Sequence, residues 1–268
     1  MKPALIKNTL SLLQEVALHA STSEQRDALE NCMLTLHFIS GRGEAGEFSD
    51  YAESFDTAPL TPVLTFASKD EADGWLRNHP APPHGATIRA ADVLYTVAYS
   101  RELEHRKLLR LPSKEELAQM GGDDETGEEA EEQVSPPKPS LGASFDFFDF
   151  FKWTCFHLFE LEQRISSPEE LEAIRTARVA LHFVMHVGEY HGFEAYLETL
   201  RSSRLSRPLE SFPTREDADA WVETQSEPPV PEVVAIGNEL YSVGYNRRRA
   251  LRVLIRIPTQ QELNVGAA

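Results

Sequence analysis

Between Leu171 and Met185 apolar side chains return every three or four residues, at Leu171, Ile174, Ala177, Leu181, Val184 and Met185, with Glu172, Arg175 and Arg178 between them. That spacing puts the apolar groups on one face of a helix. Its start is written just upstream. Ser167, Pro168, Glu169 and Glu170 supply a capping hydroxyl, a first-turn proline and acids at the positive end of the helix dipole. Gly188 interrupts the pattern, and Phe193, Tyr196, Leu197 and Leu200 resume it in a shorter helix. An aromatic-rich helix is predicted before both, over residues 147–164. Aromatic side chains occur on every side of it (Phe145, Phe147, Phe148, Phe150, Phe151, Trp153), so part of its surface is expected to cover another domain or a partner.

Further along, the period changes. Residues 209–212 read as a short strand, followed by a helix over 214–223 with Thr214 as its cap and Trp221 on its inner face. Three strands are then predicted, over 233–236, 239–245 and 250–257, with Gly237-Asn238 and residues 246–249 as the turns. In the last strand Leu251, Val253, Ile255 and Ile257 alternate with Arg252, Leu254 and Arg256. This alternation predicts one buried face and one wet, cationic face.

The same series occurs once before. At an offset of 145 residues Leu36-His37-Phe38 meets Leu181-His182-Phe183, and Gly43, Glu44, Phe48, Tyr51 and Glu53 meet Gly188, Glu189, Phe193, Tyr196 and Glu198. After a one-residue insertion the offset is 146, and 17 of the 52 positions from Phe66/Phe212 to Leu117/Leu263 are identical. Such a long period marks a domain duplication rather than a solenoid. The expected fold is therefore α+β: a tandem duplication of an α-α-α-β-α-β-β-β domain, with a small, mostly antiparallel sheet packed on helices. Residues 1–119 form the first repeat and 143–268 the second. Each is long enough to bury a core of its own. Residues 120–142 form an acidic, proline-containing linker, expected to be disordered because it has too little apolar surface to offset the entropy of ordering.

The charge distribution narrows the partners. The formal net charge is −17. Residues 1–119 carry 12 Lys/Arg against 17 Asp/Glu, residues 143–268 carry 13 against 19, and the linker carries 1 against 7. Each repeat is mildly acidic, which argues against nucleic acid bound through its phosphates. Apolar runs of membrane-spanning length are absent, and the N-terminus reads as an amphipathic helix rather than a signal peptide. Cys155 matches Leu10, so the two cysteines share no disulfide framework and are expected as reduced thiols in a cytoplasm. The excess of arginine over lysine suggests a bacterial source.

Candidate chemistry is sparse. His182, His186, Glu189 and His191 are the one metal-like group, with two histidines a helical turn apart. The HExxH pattern is absent, however, because Phe183 stands where the general base belongs, and the matching residues of the first repeat are His37, Gly41, Glu44 and Gly46. GxSxG and GxxxxGK[ST] are also absent, and Gly41, Gly43 and Gly46, though spaced as GxGxxG, follow a predicted helix instead of a strand and read as a helix-breaking loop. The sequence therefore predicts no cofactor, no evident small-molecule substrate and no enzymatic activity. What recurs in both repeats is a hairpin set. Tyr95, Tyr99, Arg101, Arg106 and Arg110 match Tyr241, Tyr245, Arg247, Arg252 and Arg256. Tyrosine and arginine are the residue types enriched at protein-binding hot spots, and internal ion pairing is the plain alternative.

These observations predict a non-enzymatic, cytoplasmic protein-binding protein, with an inhibitor or immunity-type protein that neutralises a toxin or enzyme as one specific form. Two alternatives compete with it. One is a structural or regulatory scaffold with a pseudo-two-fold, and the other is a metal protein or enzyme using the His182–His191 region.

Overall fold

The computed structural model describes residues 4–56, 61–100, 105–113, 116, 135–139, 145–201, 207–225 and 232–263. These form nine α-helices and two four-stranded mixed sheets, one sheet in each half of the chain. The first half contains α1 (Ala4–Val16), a 3-10 turn (Ala17–His19), α2 (Ser23–Gly41), α3 (Ala45–Ser54), β1 (Leu64–Phe66), α4 (Lys69–Asn78), β2 (Thr87–Ala90), β3 (Val93–Ser100) and β4 (His105–Arg110). The second contains α5 (Phe147–Glu162), α6 (Pro168–His186), α7 (Tyr190–Arg201), β5 (Glu210–Phe212), α8 (Arg215–Glu223), β6 (Glu232–Ile236), β7 (Glu239–Asn246), β8 (Leu251–Arg256) and α9 (Gln260–Leu263). No helix among the described residues is long and apolar enough to cross a membrane. Most of the linker lies outside the described residues. Within 135–139, Lys138 pairs with Asp27 at 2.5 Å and sits 5.7 Å from the Trp153 ring centre.

Local signals account for the helix starts. The side chains of Thr22, Ser68, Ser167 and Thr214 accept hydrogen bonds from the backbone N–H groups of Gln25, Glu71, Glu170 and Asp217, satisfying donors that a helix leaves open. The two long helices end alike. Gly43 and Gly188 adopt φ of +72° and +68°, and the next residues, Glu44 and Glu189, donate their N–H to the carbonyls of Ile39 and Val184. This places Glu44 and Glu189 at the same turn of the two halves.

Each sheet has a parallel first pair and two antiparallel pairs. Tyr95 faces Arg110 and Tyr99 faces Arg106, while Tyr241 faces Arg256 and Tyr245 faces Arg252. On one side of each sheet lies a short helix over a small core. Helix α4 covers Ile88, Tyr95, Val97 and Leu108, and α8 covers Val234, Tyr241, Val243 and Leu254. The second of these contacts corrects an expectation from the sequence. The Arg252, Leu254, Arg256 side of the last strand is not a wet face, because α8 packs there and leaves Leu254 wholly buried.

The helices do not form a separate core for each half. One continuous core takes in Leu13, Leu29, Phe38 and Phe48 together with Phe150, Leu181, Phe183 and Phe193. Helix α1 packs chiefly on α6 and α5 on α2, so each half's first helix lies on the other half's long helix. The aromatic contacts cross over in the same way. Phe38 meets Phe193 and Tyr196 at ring separations of 5.3 and 5.6 Å, and Phe183 meets Phe48 and Tyr51 at 5.6 and 5.4 Å.

The sheets differ in how they meet this helical body. The second sheet's other face lies against it, with α2 across β8 and α7 across β7, so that Val233, Ile255 and Ile257 join the shared core. Among the described residues, the first sheet's sustained helix contacts are all with α4. Gly41 supplies a physical reason. A Cβ there would lie 2.7 Å from Ile255 Cγ2 and 3.1 Å from Ile255 Cα, so α2 reaches β8 because position 41 has no side chain. The matching position of α6 is His186, whose ring stacks instead on Tyr51 with centres 4.9 Å apart.

Gly41→Ala is expected to destabilise the protein by about 1–3 kcal/mol through overpacking, despite alanine's better helix propensity. Gly46→Ala in α3, where a Cβ meets nothing within 4 Å, is expected to be neutral or stabilising by up to about 1 kcal/mol. Urea unfolding of the two variants checks this contrast.

Candidate functional site

The Tyr/Arg hairpin residues are engaged internally. Arg106 donates to the carbonyls of Leu76, Arg77 and His79 at 3.2, 2.9 and 2.7 Å, closing the C-terminal end of α4, and its guanidinium lies 5.5 Å from the Tyr99 ring centre. Arg252 donates to Val222 O at the end of α8. Arg110 pairs with Glu116 at 2.9 Å. Arg256 pairs with Glu239 and Glu262 at 2.6 and 2.9 Å. Glu116 and Glu262 also accept from the backbone N–H groups of Ser113 and Thr259, so each arginine holds the acid of a capping turn after the last strand. Tyr241 donates to Glu239 and faces Arg215, whereas Tyr95 is buried against α4. Tyr245 lends its carbonyl to Arg42, and Arg101 lies outside the described residues. Arg110 and Arg256 thus make internal ion pairs, whereas Arg106 and Arg252 bond to helix-end carbonyls.

Arg247 belongs to a different group, a buried ion cluster where the two halves meet. At its centre is Arg42, the residue closing α2, whose side chain has no exposed area. It contacts Glu44 at 3.0 Å and Glu189 at 2.8 Å and donates to Tyr245 O. Glu189, on the second half, takes the Arg247 backbone N–H at 2.6 Å and its guanidinium at 3.1 Å. Glu44 takes Asn246 Nδ2 at 2.9 Å and Arg248 at 2.7 Å, and Arg248 and Arg249 both reach Glu47. Burial alone would raise the Glu44 carboxyl, but Arg42 and Arg248 outweigh it and hold the group below the ordinary carboxylate value. Burial likewise opposes the Arg42 charge, and Glu189 and Glu44 reverse that, leaving its pKa raised. In this arrangement carboxylates and guanidinium groups satisfy one another at short range, fixing the 246–249 turn of the second half onto the first.

The metal-like residues are not brought together. His182 lies between the rings of Phe55 and Phe151, His186 stacks on Tyr51, Glu189 is taken by two arginines, and His191 contacts Glu194 and Tyr190. Among the described residues no group of three or more His, Cys, Asp or Glu is placed to hold a metal ion.

Two further features lie on the surface. A groove of about 390 Å³ runs between α2, α7 and residues 238–263, with Leu34, Leu200 and Leu263 among its apolar walls and Glu30, Arg201 and Arg256 among its charged ones. Burial and the nearby Asp27 raise the Glu30 carboxyl. The second feature is the face of the first sheet turned away from α4. Leu94, Thr96, Ala98 and Leu111 are half-buried there, Leu109 is 47% exposed, and Arg89 and Lys107 are exposed.

No protein-family model matches the chain, and no curated protein or solved structure is significantly similar to it. Sequence reasoning missed Arg42, Glu47 and Arg248 as members of a site. The Gly-Glu pair repeated at 43–44 and 188–189 was the available signal, since an acid conserved beside a helix-ending glycine in both halves needs a partner. Arg42 had no such signal, because Val187 occupies its matching position.

Arg42→Ala strands two buried carboxylates and is expected to cost about 3–5 kcal/mol in chemical denaturation. A separate pH effect is expected from His186. Burial, with Arg248 nearby, lowers its pKa to about 4 from an ordinary 6.5. The unfolded chain therefore binds its proton first, so this contribution to stability is complete above pH 6.5 and lost as pH falls towards 4. His186→Asn is expected to flatten the fall in melting temperature across that window.

Proposed function

We propose that this chain is a non-enzymatic protein-binding protein: a duplicated α-α-α-β-α-β-β-β unit folded as an intrachain pseudo-dimer, which presents one sheet face to a partner protein. The repeats correspond to residues 1–119 and 143–268, with the acidic segment 120–142 as their tether. The crossed pairs Phe38–Phe193 and Phe48–Phe183, related by the 145-residue offset, support the duplication.

The observation that carries the binding reading is the unequal treatment of the two sheets. The second sheet's face lies against the helical body, whereas the matching face of the first keeps Leu94, Leu109 and Leu111 with no helix in sustained contact on that side among the described residues. Apolar surface kept on an open, rimmed face is the mark of an interaction site. An inhibitor or immunity-type protein that neutralises a toxin or enzyme is the specific form we favour, because such a protein works by occupying its target and needs no catalytic group. Its two cysteines are free, in keeping with a reducing, cytoplasmic setting. A scaffold is the second reading, favoured by the buried Arg/Glu cluster that locks the halves together.

Affinity capture from the source cells tests the main reading. Wild type and Leu209→Asp, a change at a leucine 55% exposed elsewhere, are expected to retain the same partner. Leu109→Asp is expected to lose it while keeping the wild-type circular dichroism spectrum. Equal capture by all three would remove the face as the interface.

A further inference from the structure

We infer that the open face of the first sheet is the docking site for an acidic amphipathic α-helix of a partner protein. This rests on the protein-binding reading above and adds the chemistry of the occupant.

The second sheet supplies the internal precedent. Its matching face is covered by helices: α2 closes on β8 through Gly41, and α7 lies across β7. From α7, Tyr196 donates to Arg256 O at 3.3 Å, and Thr199 and Ser242 share a hydroxyl contact at 3.3 Å. At the 146-residue offset, the apolar centre of the first sheet's face is retained, with Leu94, Leu109 and Leu111 matching Leu240, Ile255 and Ile257. The chain's own long helix does not repeat the contact. Position 186 carries an imidazole where position 41 carries a hydrogen, and that ring is held against Tyr51.

The margins of the face set the charge of the occupant. Arg89 and Lys107 stand where the covered sheet has Ala235 and Val253, and His105 is exposed beside them. Among the described residues neither Arg89 nor Lys107 has an ion-pair partner. A helix about 10 Å across spans two strands spaced about 4.8 Å apart. Laid along β3 and β4, it would bury its apolar stripe on Leu94, Leu109 and Leu111 and set flanking carboxylates towards Arg89 and Lys107. The attraction adds to affinity and weakens with salt. This is the helix-in-groove mode of recognition, with anchors at i, i+3, i+4 and i+7.

A displayed library of random 16-residue peptides, selected on the full-length protein, tests the proposal. Selected peptides are expected to carry apolar residues at helical spacing with Asp and Glu beside them. Their binding is expected to weaken at least tenfold in Leu109→Ser and in Lys107→Glu, and amide shifts should concentrate in β3 and β4. Peptides alternating with a period of two would indicate strand addition at the β4 edge and overturn the proposal. So would basic peptides, binding indifferent to both substitutions, or no enrichment at all. A synthetic peptide of residues 121–134 is titrated in parallel, and tighter binding by it than by any selected peptide would make the chain's own linker the occupant. If a cellular partner is lost with Leu109→Asp while the library returns no acidic helix, the protein-binding reading stands and the helix inference falls.

Discussion

A single arginine placed between two carboxylates in a dry interior constrains the rest of this molecule. Arg42, Glu44 and Glu189 are each almost wholly buried, and none of them is tolerable there without the others. Because Glu44 and Glu189 come from different halves, satisfying Arg42 means bringing the two helix ends together. Asn246, Arg247 and Arg248 extend the demand to the turn between β7 and β8, so the second sheet is held by charge at one end and by apolar contact along α2 and α7. Removing any one member of such a cluster leaves a buried charge unpaired, which is why a change at Arg42 is costly although the intact cluster adds little net stability.

Much of the framework was legible because it is written locally. The caps at Thr22, Ser68, Ser167 and Thr214, the helix-ending Gly43 and Gly188, and the alternation along β7 and β8 all act within a few residues of one another. The failures came where distant segments decide. Alternation predicted a wet arginine face on the last strand, yet a helix that ends about thirty residues upstream lies on it and uses Arg252 at its C-terminal end. Length predicted a core for each half, yet the helices exchange partners, a choice no single segment records. The aromatic surround of α5 did carry that information, since surface on every side of a helix needs more than one neighbour.

The two halves also show how a small difference redirects a shared pattern. The strands, their register and the tyrosine–arginine pairs agree across the halves, as do the glycines that end the long helices. At positions 41 and 186, hydrogen and imidazole stand in matching places, and one sheet closes on the helical body while the other faces away from it. The other exchanges follow this choice: where the covered sheet has Ala235 and Val253, the open one has Arg89 and Lys107. Solvation of the open face keeps these cations, whereas burial of the closed face excludes them.

The crossed aromatic pairs carry a consequence for how the chain is made. Phe38 leaves the ribosome 155 residues before Phe193, its partner in the core. At about 5–20 residues per second, that gap lasts on the order of ten to thirty seconds. For most of it the apolar faces of α1 and α2 wait for α5 and α6, and Arg42 waits for Glu189. The acidic linker is among the residues synthesised during the wait, and it lies between the two members of every crossed pair.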